Sequence, residues 1–319
     1  MSAPQEQAST VSLGRLADVD LLPARDEQSR SWATSIGTFG SVSWIRGLSL
    51  LRGGSKPHPL CGLLERPILT LPISPTKRIS DLWVEFADTI GLPESRAIDV
   101  LAPHVAPPLS KTSPEVSGRL RLVPDRSSYR GTAGLLRDAH VDEGDPSDWL
   151  LVSLGRHAPL AHSAAIIATL DEPKRNKDVV LLHADGVLTG TWLIRRRTLE
   201  SVPSRGYVDF AEQHVSRVSA DGGLAVINVQ RPLLQPIRSL DAYLNLAAAH
   251  ATDTEDRAEG APRFGFIEGQ TSVPASVRLL DSIVLKGAKL PARCTVVRSV
   301  IGRHAVVRPG ETILHRTHV

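Results

Sequence analysis

The chain has 319 residues, 41% of them hydrophobic, with a formal net charge of +3 and a mean hydropathy of −0.07. This is the balance of a globular protein with room for one large domain and a smaller one, and no apolar run approaches the roughly 18 residues of a membrane span. Aromatic residues make up only 4%, which predicts an aliphatic core and argues against a nucleic-acid binder that sets basic charge beside stacking rings.

Residues 1–30 are polar and unpatterned and are read as a mobile arm, without the charged head and apolar centre of a secretory signal. From residue 31 to 250 short apolar runs alternate with helical patterns, as in layered α/β domains. PILTLPI from Pro67 reads as a buried strand, and SDLWVEFAD from Ser80 as a helix capped by that serine, with Leu82, Trp83 and Phe86 on its apolar face. SYRGTAGLLRDA from Ser128 is a Gly-Thr turn leading into a helix. DWLLVSL from Asp148 is a strand ending at Gly155, while Ser163 to Leu170 fits a helix or a buried strand. DVVLLHA from Asp178 and GTWLIRR from Gly190 are further strands, and Asp241 to His250 is an Ala- and Leu-rich helix. Arg195, Arg196 and Arg197 form the one dense basic cluster, read as a solvated strand end or turn. Residues 251–263 are charged and carry Gly and Pro, the composition of a linker. Cys61 and Cys294 fall in different predicted domains with no CxxC or His/Cys cluster, so two free thiols and a cytoplasmic location are expected, without a zinc site.

Residues 264–319 repeat. VPASVRLLDSIVLKGAKL from Val273 and LPARCTVVRSVIGRHAVV from Leu290 align at an offset of 17 residues. Pro274 meets Pro291, Ala275 meets Ala292, Ser282 meets Ser299 and Ala288 meets Ala305, and a third copy starts at Val307. The offset is close to three hexapeptides, and hexapeptide repeats build parallel β-helices in which each coil buries its apolar edge on the next.

The order of segments resembles the sugar-phosphate nucleotidylyltransferases, such as the mannose-1-phosphate guanylyltransferases and the glucose-1-phosphate adenylyl- and thymidylyltransferases. RGTAGLL from Arg130 is similar to that family's G-T-A-x-x-(L/I) segment, GTWLIRR to its G-I-Y-L-F-x-P segment, YVDFAEQ from Tyr207 to its acidic helix entry, and SLDAYLNLA from Ser239 to T-P-E-D-Y-L-x-A-N. The resemblance covers roughly Leu48 to Leu314. It implies a Rossmann-like, nucleotide-diphospho-sugar transferase-like α/β domain over 31–250 and a short left-handed parallel β-helix over 264–319. It also implies a nucleotide or sugar nucleotide as ligand, held by Gly54, Gly131, Thr132 and Ala133. A homo-oligomer or an active paralogue is the implied protein partner, and neither nucleic acid nor a membrane is expected.

The family's reaction is attack of a sugar phosphate on a nucleoside triphosphate with loss of pyrophosphate, which needs a cationic clamp and usually magnesium. Here the sequence departs from the pattern. The Gly-rich loop is represented by GGSKPHPL from Gly53, in which Lys56 stands for the motif's arginine and Pro57 removes an N–H from a loop that works through N–H groups. Arg66 falls where the family has a lysine. The first metal-binding aspartate is replaced by Arg156, and Pro236 lies about where the second belongs. Catalytic candidates are thus Lys56, Arg66 and Arg156. No metal site is assigned, and Asp185 and Asp209 are the only substitutes, so magnesium is expected only if the protein is active. The expected function is a pseudoenzyme that binds nucleotide or sugar nucleotide with weak or no pyrophosphorylase activity. Competing readings are an active enzyme with relocated ligands, a β-helix acyltransferase using His304 as base, and a structural or oligomerisation protein.

Overall fold

The computed structural model describes residues 42–52, 59–102, 118–125, 130–251, 264–269 and 273–318. The arm, the linker from residue 252, and the loop with Gly54 and Lys56 lie outside the described residues.

The first body is a seven-stranded sheet. Its strands are β1 (Ile45–Leu51), β2 (Ile98–Ala102), β3 (Leu120–Pro124), β4 (Trp149–Leu154), β6 (Val179–Ala184), β7 (Val187–Arg195) and β8 (Leu224–Val229). Their order is β3-β2-β1-β4-β7-β6-β8. β1 to β4 pair in parallel, β6 pairs in parallel with β8, and β7 runs antiparallel to β4 and β6. Every residue of β2, and all but the last of β4, is buried, as expected for strands covered on both faces. Alternate residues feed two cores. Leu48, Leu50, Val100 and Leu151 face one layer, with α2 (Ile79–Thr89), α4 (Ser163–Ala168) and α6 (Leu240–Ala249). Leu51, Leu101, Leu150 and Val152 face the other, with α3 (Gly131–His140) and α5 (Val215–Ala220). The result is three layers, and α1 (Pro59–Leu64) lies in the first of them. A short antiparallel pair, β5 (His157–Pro159) with β9 (Leu234–Pro236), completes this body.

Three local expectations need correction. PILTLPI is not a strand: Ile68–Thr70 form a 3-10 turn, closed by the Thr70 hydroxyl donating to the Pro67 carbonyl at 2.8 Å. Pro67 and Pro72 supply no N–H for a ladder, which disfavours an extended central strand. Ser80 does not cap α2; it is fully buried inside it, and the Asp81 carboxylate accepts from the Arg78 N–H at 2.7 Å instead. Arg195 and Arg196 are buried rather than solvated. The Arg195 guanidinium lies 4.4 Å from the Trp149 ring centre and donates to the Ser147 and Lys177 carbonyls, and Arg196 donates to the His140 carbonyl at 3.0 Å. Their alkyl stems and planar heads fill the amino end of the sheet. Ser163 to Leu170 resolves as a helix over its first six residues.

The C-terminal strands are β10 (Gly265–Ile267), β11 (Arg278–Leu280), β12 (Ser282–Val284), β13 (Thr295–Val297), β14 (Val300–Ile301), β15 (Thr312–Leu314) and β16 (Thr317–His318). They form a parallel four-stranded sheet, β10-β12-β14-β16, and a parallel three-stranded sheet, β11-β13-β15. Paired residues lie 17 apart throughout, as in Arg278, Thr295 and Thr312, and a parallel bridge joins Lys289 to Val306. Ser282 and Ser299 repeat one role: each hydroxyl donates to a carbonyl two residues back and accepts the N–H seventeen residues on. The residue before each corner, Asp281, Arg298 and His315, has a positive φ of 43–47°.

The two parts share one interior. Phe264, Phe266, Ile283, Leu285 and Val300 belong to the same buried cluster as Leu48 and Trp83. Arg66 pairs with Glu268 at 2.6 Å, both nearly buried, and Glu268 also accepts the Lys286 N–H at 3.0 Å. Among the described residues no helix is long and apolar enough to cross a membrane.

Candidate functional site

In an open α/β sheet, ligands bind beyond the carboxyl ends of the strands, where the strand order reverses. Here that point lies between β1 and β4, since the chain goes from β1 outward through β2 and β3 and returns to the other side of β1. The Gly155 N–H donates to the Leu51 carbonyl at 2.7 Å, so Arg52 and Arg156 leave neighbouring strand ends. β5 then folds antiparallel to β9, with His157 opposite Pro236, and the Ile237 N–H donates to the Arg156 carbonyl at 3.1 Å. This joins residue 156 to residues 236–238.

The charge there is positive. Arg156 is half-buried, and its Nε is buried with no hydrogen-bond partner. Burial pushes the Arg156 guanidinium below its ordinary pKa, and the neighbouring Arg238 pushes it further. Arg238 is exposed. Burial also lowers the pKa of Arg52, which faces Cys61. The His157 ring closes the floor of the turn against Gly190, whose φ is +74° and where a Cβ would come within 3.0 Å of the ring.

Gly131, Thr132 and Ala133 open α3, and the structure joins them to Asp209. Gly131 has φ +70°, and a Cβ there would collide with the Val208 carbonyl. The Ala133 N–H donates to that carbonyl at 3.0 Å. The Thr132 hydroxyl donates to Asp209 Oδ2 at 3.1 Å and accepts the Phe210 N–H at 2.8 Å. Asp209 Oδ1 accepts the Glu212 N–H at 2.9 Å, capping the following helical turn. Both Asp209 oxygens and the Thr132 hydroxyl therefore hold protein to protein.

The remaining candidates are dispersed. Asp185 and Gly186, with φ of 51° and 77°, form the tight turn between β6 and β7, the geometry for which Asp-Gly is favoured. Arg66 is committed to Glu268 and to the Thr70 carbonyl at 3.0 Å. His304 is exposed. Among the described residues no cluster of three or more His, Cys, Asp or Glu side chains could hold a metal. Cys61 and Cys294 are free. A shallow cavity of about 240 Å³, lined by Val202, Pro203, Tyr207, Gln213, His214 and Arg217, adjoins Val208 and is smaller than ordinary ligand sites of roughly 300 Å³ and above.

Sequence reasoning missed Arg52 and Arg238, and a buried Ser–His–Asp cluster. The Ser49 hydroxyl lies 2.7 Å from His140 Nε2, and Asp99 lies 3.5 Å from the same atom. Arg121 grips Asp99 at 2.6 and 3.1 Å. All three members are under 5% exposed, between α3 and the middle of the sheet. A nucleophile needs room for a substrate carbonyl, and these three side chains lie in the interior away from solvent. The cluster ties α3 to β1 and β2 through satisfied polar groups.

No family model matches the chain, and no curated protein matches it. Among solved structures, one described as a homolog of Mycobacterium tuberculosis rv0371c, from Mycobacterium sp. strain JC1, is 15% identical with a TM-score of 0.46. The match covers 65% of this chain and 96% of that one. A likeness of this size assigns neither family nor activity.

Proposed function

We propose that the protein is a diverged relative of the sugar-phosphate nucleotidylyltransferases that binds a nucleotide or sugar nucleotide and has weak or no pyrophosphorylase activity. In this reading the C-terminal strands are a short left-handed β-helix, and the two free cysteines suit a cytoplasmic protein. The observation that carries the reading is the meeting of residues 156 and 236–238 beside the switch point, with arginine and proline where magnesium-dependent chemistry wants carboxylate oxygens. Asp209, the nearest alternative metal ligand to the Gly131 turn, uses both oxygens in hydrogen bonds, which weighs against relocated ligands.

The test is calorimetric titration of nucleoside triphosphates and sugar nucleotides, with and without magnesium, alongside an assay for pyrophosphate release. Binding in the absence of magnesium with negligible release is expected. Turnover at an ordinary enzyme rate of about 1 to 1,000 per second would overturn the reading.

A further inference from the structure

We propose that one face of the C-terminal strands is a docking surface for an anionic lipid bilayer, held through its negatively charged headgroups. The inference goes beyond the nucleotide reading and does not depend on it.

Charge is unevenly shared along the chain. Residues 264–319 carry eight Lys and Arg against three Asp and Glu, so residues 1–263 are net negative. The 17-residue register gathers five of the eight on one side. After β12 and again after β14 the chain leaves the two sheets, over residues 285–294 and 302–311. These runs lie side by side: the Lys289 N–H donates to the Ala305 carbonyl at 3.2 Å, and Lys289 bridges Val306 in parallel. Ala288, Leu290, Cys294, Ala305 and Val307 turn into a buried cluster. Lys286, Lys289, Arg293, Arg303 and Arg308 lie between or beside them and are all exposed. Lys286 and Arg303 hold the same place on neighbouring runs, and the Arg303 stem crosses Gly287, where a Cβ would come within 3.2 Å of its Cγ.

No carboxylate balances this face. Residues 285–294 and 302–310 contain none. Glu268 is buried against Arg66, and Glu311 accepts the Arg308 N–H at 3.0 Å and pairs with Arg316 at 2.8 Å. Neighbouring runs of parallel strand stand about 4.8 Å apart, so the cations repel one another, and a surface of opposite charge offsets that cost.

The shape of the face selects the kind of anion. Val306 stands between Arg303 and Arg308 and beside Lys289, 71% exposed. The two runs carry no aromatic residue and present neither a helix nor a protruding ribbon. A DNA duplex is read by an element that enters a groove, and a single strand by rings that stack on its bases. A bilayer surface asks for neither. It rewards each lysine or arginine roughly fivefold in affinity, and it accepts an aliphatic side chain at the headgroup boundary. Such docking is peripheral and needs no spanning helix, the feature on whose lack the expectation of no membrane partner rested.

The full chain is mixed with vesicles of phosphatidylcholine alone and of phosphatidylcholine with phosphatidylserine, and the bound fraction is read by sedimentation at about 0.1 M and about 1 M salt. Binding is expected only with phosphatidylserine and is expected to be lost at the higher salt. Lys289→Ala and Arg303→Ala should each weaken it roughly fivefold, and Lys289→Glu with Arg303→Glu by at least about 25-fold. Lys174→Glu with Arg175→Glu makes the same change of net charge on exposed residues elsewhere and should leave binding almost unchanged. If a variant does not fold, the lipid and salt dependence of the unaltered protein still decides the matter. Equal binding to both kinds of vesicle, or none to either, would overturn the proposal. So would an equal loss in the two double variants, or a mixed-sequence DNA duplex that binds where the vesicles do not.

Discussion

His140 is held neutral by its place at the end of α3, where its ring is buried against the sheet. Burial is the main cause, the Arg196 charge adds to it, and together they push its pKa down to about 4 against the opposing pull of Glu143. His214 is pushed down to about 4 as well, by burial first and Arg217 second. Both rings would titrate near 6.5 in the unfolded chain. Unfolding therefore takes up protons between those values, and stability falls as pH drops from 6.5 towards 4. The expected loss is of order 3 kcal/mol for each ring. Urea unfolding across this window should show it, and His140→Gln should flatten the slope. A level profile would mean that the rings are not buried as neutral groups. The same scale shows what a single sequence can reveal about a site. Gly131 was legible as a position needing close backbone approach, but its neighbour is Val208, a tertiary contact that no local pattern announces. Arg156 was legible because it broke a motif. Arg238 was not, since an arginine after Pro-Ile is unremarkable until β5 and β9 pair.

At the scale of elements, β4, β6 and β7 were readable because each is a short apolar run with polar ends, and two-sided burial demands such runs; β1, β2, β3 and β8 were not read from the sequence. The stretch at Pro67 misled for the same reason: its side chains are apolar and buried, but its prolines set the backbone. The 17-residue repeat was legible in the serines and alanines that pack alike. Its corners were not. Asp281, Arg298 and His315 share a positive φ of 43–47° and nothing else, because the passage from one parallel sheet to the other imposes that conformation on whatever residue stands there. A non-glycine residue in the left-handed region carries roughly 1 to 2 kcal/mol of strain. His315→Gly is the cleanest test, because Asp281 and Arg298 also make side-chain contacts, to the Phe264 N–H and to Asp241. It should raise unfolding free energy by about 1 kcal/mol, measured by urea denaturation. A destabilised variant would show that the histidine side chain contributes more than its backbone costs.

At the scale of the molecule, the interior runs from the first layer of the sheet into the C-terminal strands, with Arg66 and Glu268 at the junction. Glu268 also lies 3.9 Å from Arg78, so Arg66→Met removes the closer of its two arginines and should lower stability by about 3 kcal/mol. The double variant Arg66→Met with Glu268→Leu should recover part of that loss, since a well-packed apolar pair can replace a buried ion pair while Arg78 loses its partner. If the double variant is as unstable as the single one, the pair does more than balance charge. This junction also bears on how such a chain can be inherited. A crossover between residues 252 and 263 would look harmless in the sequence, falling in a polar stretch between two different patterns. It would nonetheless part Arg66 from Glu268, and Leu48 and Trp83 from Phe266 and Ile283. Shuffling can deliver a working hybrid only when the two sides of that breakpoint come from parents that have kept both halves of the seam.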